Sequence, residues 1–410
     1  MSTVSSRTLQ SDGATLLTGA TGFVGMAVLA RLLERTDRQI VALVRAGSQD
    51  EAEARLCAVM RSLFDDPEQY EQRIEAVRGD LTAPWLGLDA AARERIAVDV
   101  DEIIHGAASV AFDLPLPESR AINVEGTRRV LALATACAAR GDGLRRLTYV
   151  STAYVAGDRR GVALEPELDM GQGFRNAYEQ SKHEAEQLVH ARRVRFPVTV
   201  VRPSIVVGER QTGWTASFNV IYTPLRAFAA GTYPVVPGRR GAVVDVVTVD
   251  HVADAILALT AAPDAAGRTF HVVGGDHSTT LGELSLLASR SFDRRQPRFL
   301  PPWIYRNLVH PLLLRRGNPG ARRRLRRTEV YFPYFSLDLR FDDRCARELL
   351  DPLGIRATPI RGYFDAMVDF AEAAEWGRNP IGLAEARARS TDAGGESPVP
   401  VGTGAAPQAG

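Results

Sequence analysis

The sequence predicts an α/β fold: a doubly wound parallel sheet, joined to a smaller and mainly helical second region. Three observations lead there. Short β-branched runs alternate with amphipathic stretches of helical length through the first half of the chain. The first run, ATLLT, ends in TGATGFVG, a glycine-rich turn that opens a helix. After Gly208 the alternation breaks, and Pro224, Pro234 and Pro237 punctuate a loop-rich insertion.

The elements come in order. ATLLT is the first strand, with a helix from about Phe23 to Glu34. QIVALV is the second strand, with a helix through residues 52–63. IEAVRGD and DEIIHGA are the next two strands. The segment ESRAINVEGTRRVLALATACAA is helical, with Ile122, Val130, Leu131 and Leu133 on its apolar side. RRLTYVST is a strand, NAYEQSKHEAEQL a helix and VTVVRPSIVVG a strand. Strands that alternate with helices indicate a parallel sheet covered on both faces. VVDVVTV, a helix from His251 to Leu259 and RTFHVVGG return to that style, and from Thr279 to about Trp376 the chain is mainly helical. The expected organisation is a core of residues 12–208 and 243–275, and a second region of residues 209–242 and 276–380. A disordered tail is expected over 381–410, where the chain becomes small, polar and rich in Pro and Gly.

Composition excludes several classes. The chain is 45% hydrophobic and 24% charged, as a globular protein is. A formal net charge of +1 argues against a general nucleic-acid binder. Cys57, Cys137 and Cys345 lie far apart, so neither a disulfide framework nor a clustered metal site is expected. That usage suits a reducing cytosol, and a cytoplasmic location is expected. MSTVSSRTLQSDG has no apolar core of signal-peptide length, and no apolar run approaches the ~20 residues of a membrane span.

The glycine turn carries the first site. Glycine allows positive φ, and without a Cβ its amide can approach a pyrophosphate. The helix after it adds free N–H groups and the positive end of its dipole. Gly19, Thr21, Gly22, Phe23, Val24 and Gly25 are therefore expected to hold a dinucleotide. At the end of the second strand, where an acidic residue would hold a ribose 2′-hydroxyl, stands Arg45, which suits a 2′-phosphate. Arg55 on the next helix would assist, so NADPH is expected over NADH. Asp80 in VRGDL either accepts from an adenine amino group, with Leu81 beside it, or caps the next turn. The small residues of HGAAS, including Ala107 and Ala108, either let the chain pass close to the dinucleotide or pack under a helix.

Lys182 is the only lysine; the other 49 of the 50 Lys and Arg residues are arginine. Tyr178 lies four residues earlier, on the same face of a helix. An ammonium beside a phenol stabilises the phenolate and tunes the tyrosine for proton transfer near neutral pH. Thr152, in YVSTAYVAG, comes after a strand that ends at the same carboxyl edge as Gly19 and Gly106. Thr152, Tyr178 and Lys182 beside a dinucleotide make a proton-relay set for carbonyl reduction.

TGATGFVG, VRGDL, HGAAS, NVEGT, YVSTAYVAG, YEQSK and RPSIVVG, in this order, resemble the extended short-chain dehydrogenase/reductase superfamily. They cover residues 14–208, and VDVVTVDHVADAI extends the likeness to about residue 256. The resemblance implies a Rossmann-type core, a nicotinamide cofactor held in part by Tyr178, Lys182 and Pro203, and a Thr152–Tyr178–Lys182 catalytic set. It also implies that Lys182 binds the nicotinamide ribose while lowering the tyrosine pKa. Within the superfamily the chain looks most like reductases of acyl thioesters, the fatty acyl-CoA reductases and terminal thioester reductase domains. The activity this likeness implies is NADPH-dependent reduction of a fatty acyl thioester to an aldehyde, and onward to an alcohol if a second hydride is delivered. The alternative is a dehydrogenase or epimerase of a nucleotide sugar or sterol-like alcohol. A third reading, a dinucleotide sensor without catalysis, sits badly with an intact Thr–Tyr–Lys set.

One stretch stands apart. In LVHPLLLRRGNPGARRRLRR, Arg315, Arg316, Arg322, Arg323, Arg324, Arg326 and Arg327 concentrate charge in a nearly neutral chain. The plain reading is a solvated arginine-rich surface. The sharper one is a landing site for an anionic carrier, coenzyme A or an acyl carrier protein. Val309, Leu312, Leu313 and Leu314 beside it suggest peripheral contact with an anionic membrane instead.

Overall fold

The computed structural model describes residues 13–140, 143–231, 235–316, 320, 322, 323, 326 and 329–392. Seven strands form its main sheet: β1 (Ala14–Thr18), β2 (Gln39–Arg45), β3 (Ile74–Gly79), β4 (Val100–His105), β5 (Arg146–Val150), β6 (Val198–Pro203) and β7 (Thr269–Val272). Their order is β7-β6-β5-β4-β1-β2-β3 and every neighbouring pair is parallel. The order reverses between β1 and β4, which leaves a crevice at the carboxyl edge of the sheet.

The near-continuous apolar strands have a simple cause. Side chains alternate across a strand, and here both faces are covered. In β2, Ile40, Ala42 and Val44 enter the core under α1 (Phe23–Arg35), α2 (Gln49–Leu63) and α7 (Val249–Ala261). Val41 and Leu43 enter the opposite core, under α3 (Ala90–Asp99), α4 (Leu116–Ala138) and α5 (Ala177–His190). Val130, Leu131 and Leu133 of α4 belong to that core as expected. Ile122 does not: it is half-buried and lines the crevice, because the first turns of α4 overhang the sheet edge.

A third core gathers α6 (Tyr222–Ala229), α8 (Leu281–Ser291) and the helix Phe364–Ala373 around Tyr222, Leu284, Phe364 and Met367. A short parallel pair, Ile205–Val207 with Val246–Thr248, joins it to the sheet region, and a second, Gly161–Ala163 with Leu339–Phe341, lies in a fourth core with Tyr154 and Tyr334. The expectation of a tail beginning at residue 381 is corrected. Leu383–Asp392 is a helix, and Ile381, Leu383 and Ala386 are buried in the core that contains α1 and α2. Gly382 permits this approach, since a Cβ there would lie 2.6 Å from the Ser62 carbonyl oxygen. Arg387 then pairs with Glu34 of α1 at 2.9 Å. The end of the expected tail, 393–410, lies outside the described residues.

In the arginine-rich stretch, Arg324 and Arg327 also lie outside the described residues, and Arg315, Arg316, Arg322, Arg323 and Arg326 are exposed. Val309, Leu313 and Leu314 pack against the third core, which leaves Leu312, 44% exposed, as the one outward member of the apolar run offered for a membrane. Among the described residues, no helix is long and apolar enough to cross a membrane.

Candidate active site

The carboxyl ends of β1, β4, β5 and β6 open onto one cleft of about 1660 Å³, which also reaches the second region. Every residue singled out in the sequence for dinucleotide binding or catalysis lines it. Gly19 ends β1 at φ +87°, and a Cβ there would lie 2.8 Å from the Ala107 amide nitrogen. A Cβ on Gly25 would lie 1.9 Å from the Gly19 carbonyl oxygen, so only glycine lets α1 start against the turn. Gly22 is the α1 N-cap, without a side-chain cap and with no acidic residue in the first turn. The amides of Phe23, Val24 and Gly25 therefore have no intrahelical acceptor, at the positive end of the helix dipole. This chemistry fits a pyrophosphate, and Thr21, Phe23 and Val24 line the cleft around it.

Arg45 is exposed at the end of β2, and Arg55 of α2 reaches back to donate to the Arg45 carbonyl, so two guanidinium groups share one rim of the cleft. Asp80 takes the turn-capping role: its Oδ1 accepts from the Thr82 amide at 2.8 Å and the Thr82 hydroxyl at 2.7 Å. Asp80 and Leu81 also face the cleft.

The loop after β4 is held by groups to which the sequence reading gave no role. Asn123 of α4 accepts from the Ser109 amide at 2.8 Å and donates to the Ser109 carbonyl at 3.0 Å and the Ser181 hydroxyl at 2.9 Å. Thr18 accepts from the Ala107 amide at 3.2 Å and hydrogen-bonds His105 at 2.7 Å. His105 meets Thr127 at 3.1 Å on its other ring nitrogen. Burial and the Lys182 cation push His105 down to about 3, so it stays neutral. NVEGT spells Asn123 and Thr127 four residues apart on one buried face, a signal that was there to be read.

Thr152 caps a short turn after β5, accepting from the Tyr154 amide at 3.3 Å. Its hydroxyl lies 3.5 Å from the Pro203 carbonyl oxygen, and both Thr152 and Tyr178 line the cleft. Asn176 caps α5 by accepting from the Glu179 amide at 2.9 Å, and this fixes the helix that carries Tyr178 and Lys182. Lys182 is 3% exposed; its Nζ donates to the Val150 carbonyl at 2.8 Å and lies 4.3 Å from the centroid of the Tyr149 ring.

The expected tuning of the tyrosine takes a different form. Burial pushes Tyr178 up to about 12, opposed by the nearby Thr152 hydroxyl and reinforced by the Glu179 charge. Lys182 contributes no charge there: it is itself pushed down to about 7 and is neutral where Tyr178 titrates. Burial pushes Lys182 itself down to about 7, against the opposing pull of Glu186. Glu186 is buried, which alone would raise its pKa. Arg202, with Nε at 3.0 Å, and hydrogen bonds from His190 and Ser151 hold it well below the usual carboxylate range.

Aromatic rings close the far side. Phe112 stacks on Tyr178 and on Tyr334, with centroids at 5.6 Å and 5.5 Å. The Tyr334 hydroxyl accepts from Asn176 at 2.7 Å and donates to Glu179.

Residues 17–256 match the model of the NAD-binding family described as male sterility protein. The chain belongs to that family. Its core is an NAD(P)-binding domain of the extended short-chain dehydrogenase/reductase type. In three dimensions this male sterility-type chain is similar to the terminal R domain of the myxalamid PKS-NRPS biosynthetic pathway. The TM-score is 0.77 at 27% identity, over 91% of this chain and 94% of that one. An isonitrile lipopeptide synthase of Streptomyces coeruleorubidus is 37% identical over 227 residues, 53% of this chain and 15% of its own length. A fatty acyl-CoA reductase of Drosophila melanogaster is 30% identical over 285 residues, 60% of this chain and 54% of its own. The chain thus spans between a small fraction and about half of the curated relatives it matches.

Proposed function

We propose that the protein reduces a fatty acyl thioester with NADPH, giving an aldehyde and a free thiol, and with a second hydride the alcohol. The observation that carries this reading is that Thr152, Tyr178 and Lys182 line one cleft with the uncapped start of α1. The names of relatives, a fatty acyl-CoA reductase and a terminal R domain, support the thioester as substrate. Arg45 and Arg55 on one rim support NADPH over NADH.

The bound dihydronicotinamide would supply the hydride. Two hydroxyls, those of Thr152 and Tyr178, would hydrogen-bond the carbonyl oxygen as it gains negative charge. Tyr178, protonated well past neutrality, is suited to donate a proton. Lys182, which titrates near neutrality, would hold the ribose and help return that proton. The balance is R–CO–S–R′ plus one hydride and one proton, giving R–CHO and HS–R′. A second hydride and proton give R–CH₂OH.

Arg323, Arg326 and Arg378 line the outer part of the cleft and favour a phosphate-bearing carrier, coenzyme A or the arm of a carrier protein. We take the cytoplasm as its compartment, in keeping with three cysteines that are all free thiols. The test is incubation with NADPH and a panel of acyl-CoAs, aldehydes and uridine-diphosphate sugars, with products identified by mass spectrometry. Cofactor oxidation with an acyl-CoA and release of free coenzyme A support the reading. Turnover confined to the sugar nucleotides overturns it in favour of the dehydrogenase or epimerase alternative.

A further inference from the structure

Beside the cleft lies a second, smaller cavity of about 100 Å³. Leu225 and Phe228 of α6, Leu281, Leu284 and Ala288 of α8, and Val244 form its apolar wall. Ser285, also on the wall, is already satisfied: its hydroxyl donates to the Gly282 carbonyl at 2.9 Å and accepts from Gln296 at 3.1 Å. Such a cavity offers water almost nothing to bond to, and comparable apolar cavities of ~150 Å³ stay dry and admit hydrocarbon.

The cavity adjoins the site already described. Tyr154, Ile205, Val220, Tyr331 and Tyr334 line both it and the cleft, so one layer of side chains separates them. Tyr154 comes two residues after Thr152, which places the start of this partition beside the hydroxyls that face the carbonyl. The partition also holds a strained point. Val220 has φ +45°, a conformation that a β-branched residue rarely adopts, and its amide donates to the Tyr331 hydroxyl at 3.2 Å. Tyr331 also meets Phe112 edge to face at 5.9 Å, so the hydrogen bond to the strained Val220 and this ring contact together hold the partition closed.

We propose that this pocket receives the methyl end of the acyl chain, admitted between Tyr331 and Val220, and so sets the preferred chain length. The inference rests on the thioester-reductase reading of the cleft. A hydrocarbon is the occupant because the wall offers no unpaired polar group, and a peptide or sugar would leave its own amides or hydroxyls unbonded there. The carbonyl end of the same molecule would stay at Thr152 and Tyr178.

Ala288→Phe fills the pocket from α8, and Leu284→Ala enlarges it. The experiment measures kcat/KM over straight-chain acyl-CoAs from butanoyl to hexadecanoyl. In the parent, each methylene that enters the pocket is expected to raise kcat/KM by about fourfold, until the pocket is full. Ala288→Phe is expected to lose at least ~10-fold on the best long substrate while staying within about twofold on butanoyl-CoA. Leu284→Ala is expected to move the optimum to longer chains. Equal losses on short and long substrates, or an unmoved optimum in both variants, overturn the pocket.

A binding measurement separates this inference from the reading beneath it. Calorimetric titration with decanol needs no turnover. Decanol that binds the parent and not Ala288→Phe supports the pocket even if no thioester is reduced, in which case only the reading of the cleft fails. Equal binding to both, or to neither, overturns the pocket while leaving any thioester reduction intact.

Discussion

Tyr178 stacks on Phe112, with ring centroids 5.6 Å apart and planes inclined by 26°. Phe112 comes from the loop after β4 and stacks in turn on Tyr334 of the second region. Tyr334 is bonded to Asn176 and Glu179 at the start of α5, so the second region helps to fix the phenol of the core.

Phe112→Ala removes that support without touching the hydroxyl of Tyr178. Aromatic pairs contribute about 0.5–1.5 kcal/mol beyond their buried area, so a fall in kcat of up to about tenfold is expected. Cofactor affinity should stay as it was. Steady-state kinetics with a cofactor titration checks both, and unchanged kcat would show that the stack is only packing.

Lys182→Arg keeps the charge and changes its shape. The ammonium fits between the Val150 carbonyl and the Tyr149 ring, where a planar fork does not. Turnover is expected to fall at least ~100-fold, the usual worth of acid–base assistance, with the circular dichroism spectrum unchanged. A variant that works within a few-fold of the parent would remove Lys182 from the chemistry.

The pH dependence has a definite sign. Lys182 is pushed down to about 7, so its ammonium is present below that pH and is lost above it. If the charged form serves catalysis, kcat falls as pH rises through about 7, and Tyr178, pushed up to about 12, adds no limb near neutrality. For stability, the unfolded lysine holds its proton up to its ordinary value of 10.5 while the folded one releases it near 7. Between those values the unfolded state binds more protons, and this residue's contribution to stability rises with pH. A pH–rate profile that stays flat through neutrality would show that another group controls the step.

Arg45→Asp exchanges attraction for repulsion at the rim that Arg55 shares. NADPH binding is expected to weaken by ~1–3 kcal/mol, the size of a lost charge-assisted hydrogen bond, while NADH changes little. Fluorescence titration of the two cofactors measures the difference. An unchanged ratio would leave Arg45 as a solvated strand end.

Charge reversal at Arg323 and Arg326 addresses the carrier. The double variant is expected to raise the apparent KM for acyl-CoA and spare free aldehydes. The difference should shrink with salt, since exposed charges are screened beyond ~10 Å at 0.1 M. Equal effects on both substrates would point to altered packing.

Much of the fold and site was legible from local pattern. The glycine turn, the alternating elements and the Tyr178/Lys182 spacing are short-range signals, and the structure gathers these residues in one cleft. The stack of Phe112 on Tyr334 joins residues 222 positions apart, and no window of sequence contains both partners. Ile122 obeyed the helical period but faces the cleft, because the period gives a face and does not say where the sheet below it ends. The helix Leu383–Asp392 was hidden by its small and charged residues. Two leucine-sized anchors, Ile381 and Leu383, and the bare Gly382 between them were enough to dock it.

The burial of Lys182 has a practical side. No other side chain in the protein carries a primary amine, and this one is largely deprotonated, hence nucleophilic, in mildly alkaline buffer. Amine-directed reagents therefore find no lysine on the surface. Apart from the α-amino group, an adduct reports on the inside of the cleft, and protection from labelling becomes a direct gauge of whether that cleft is filled.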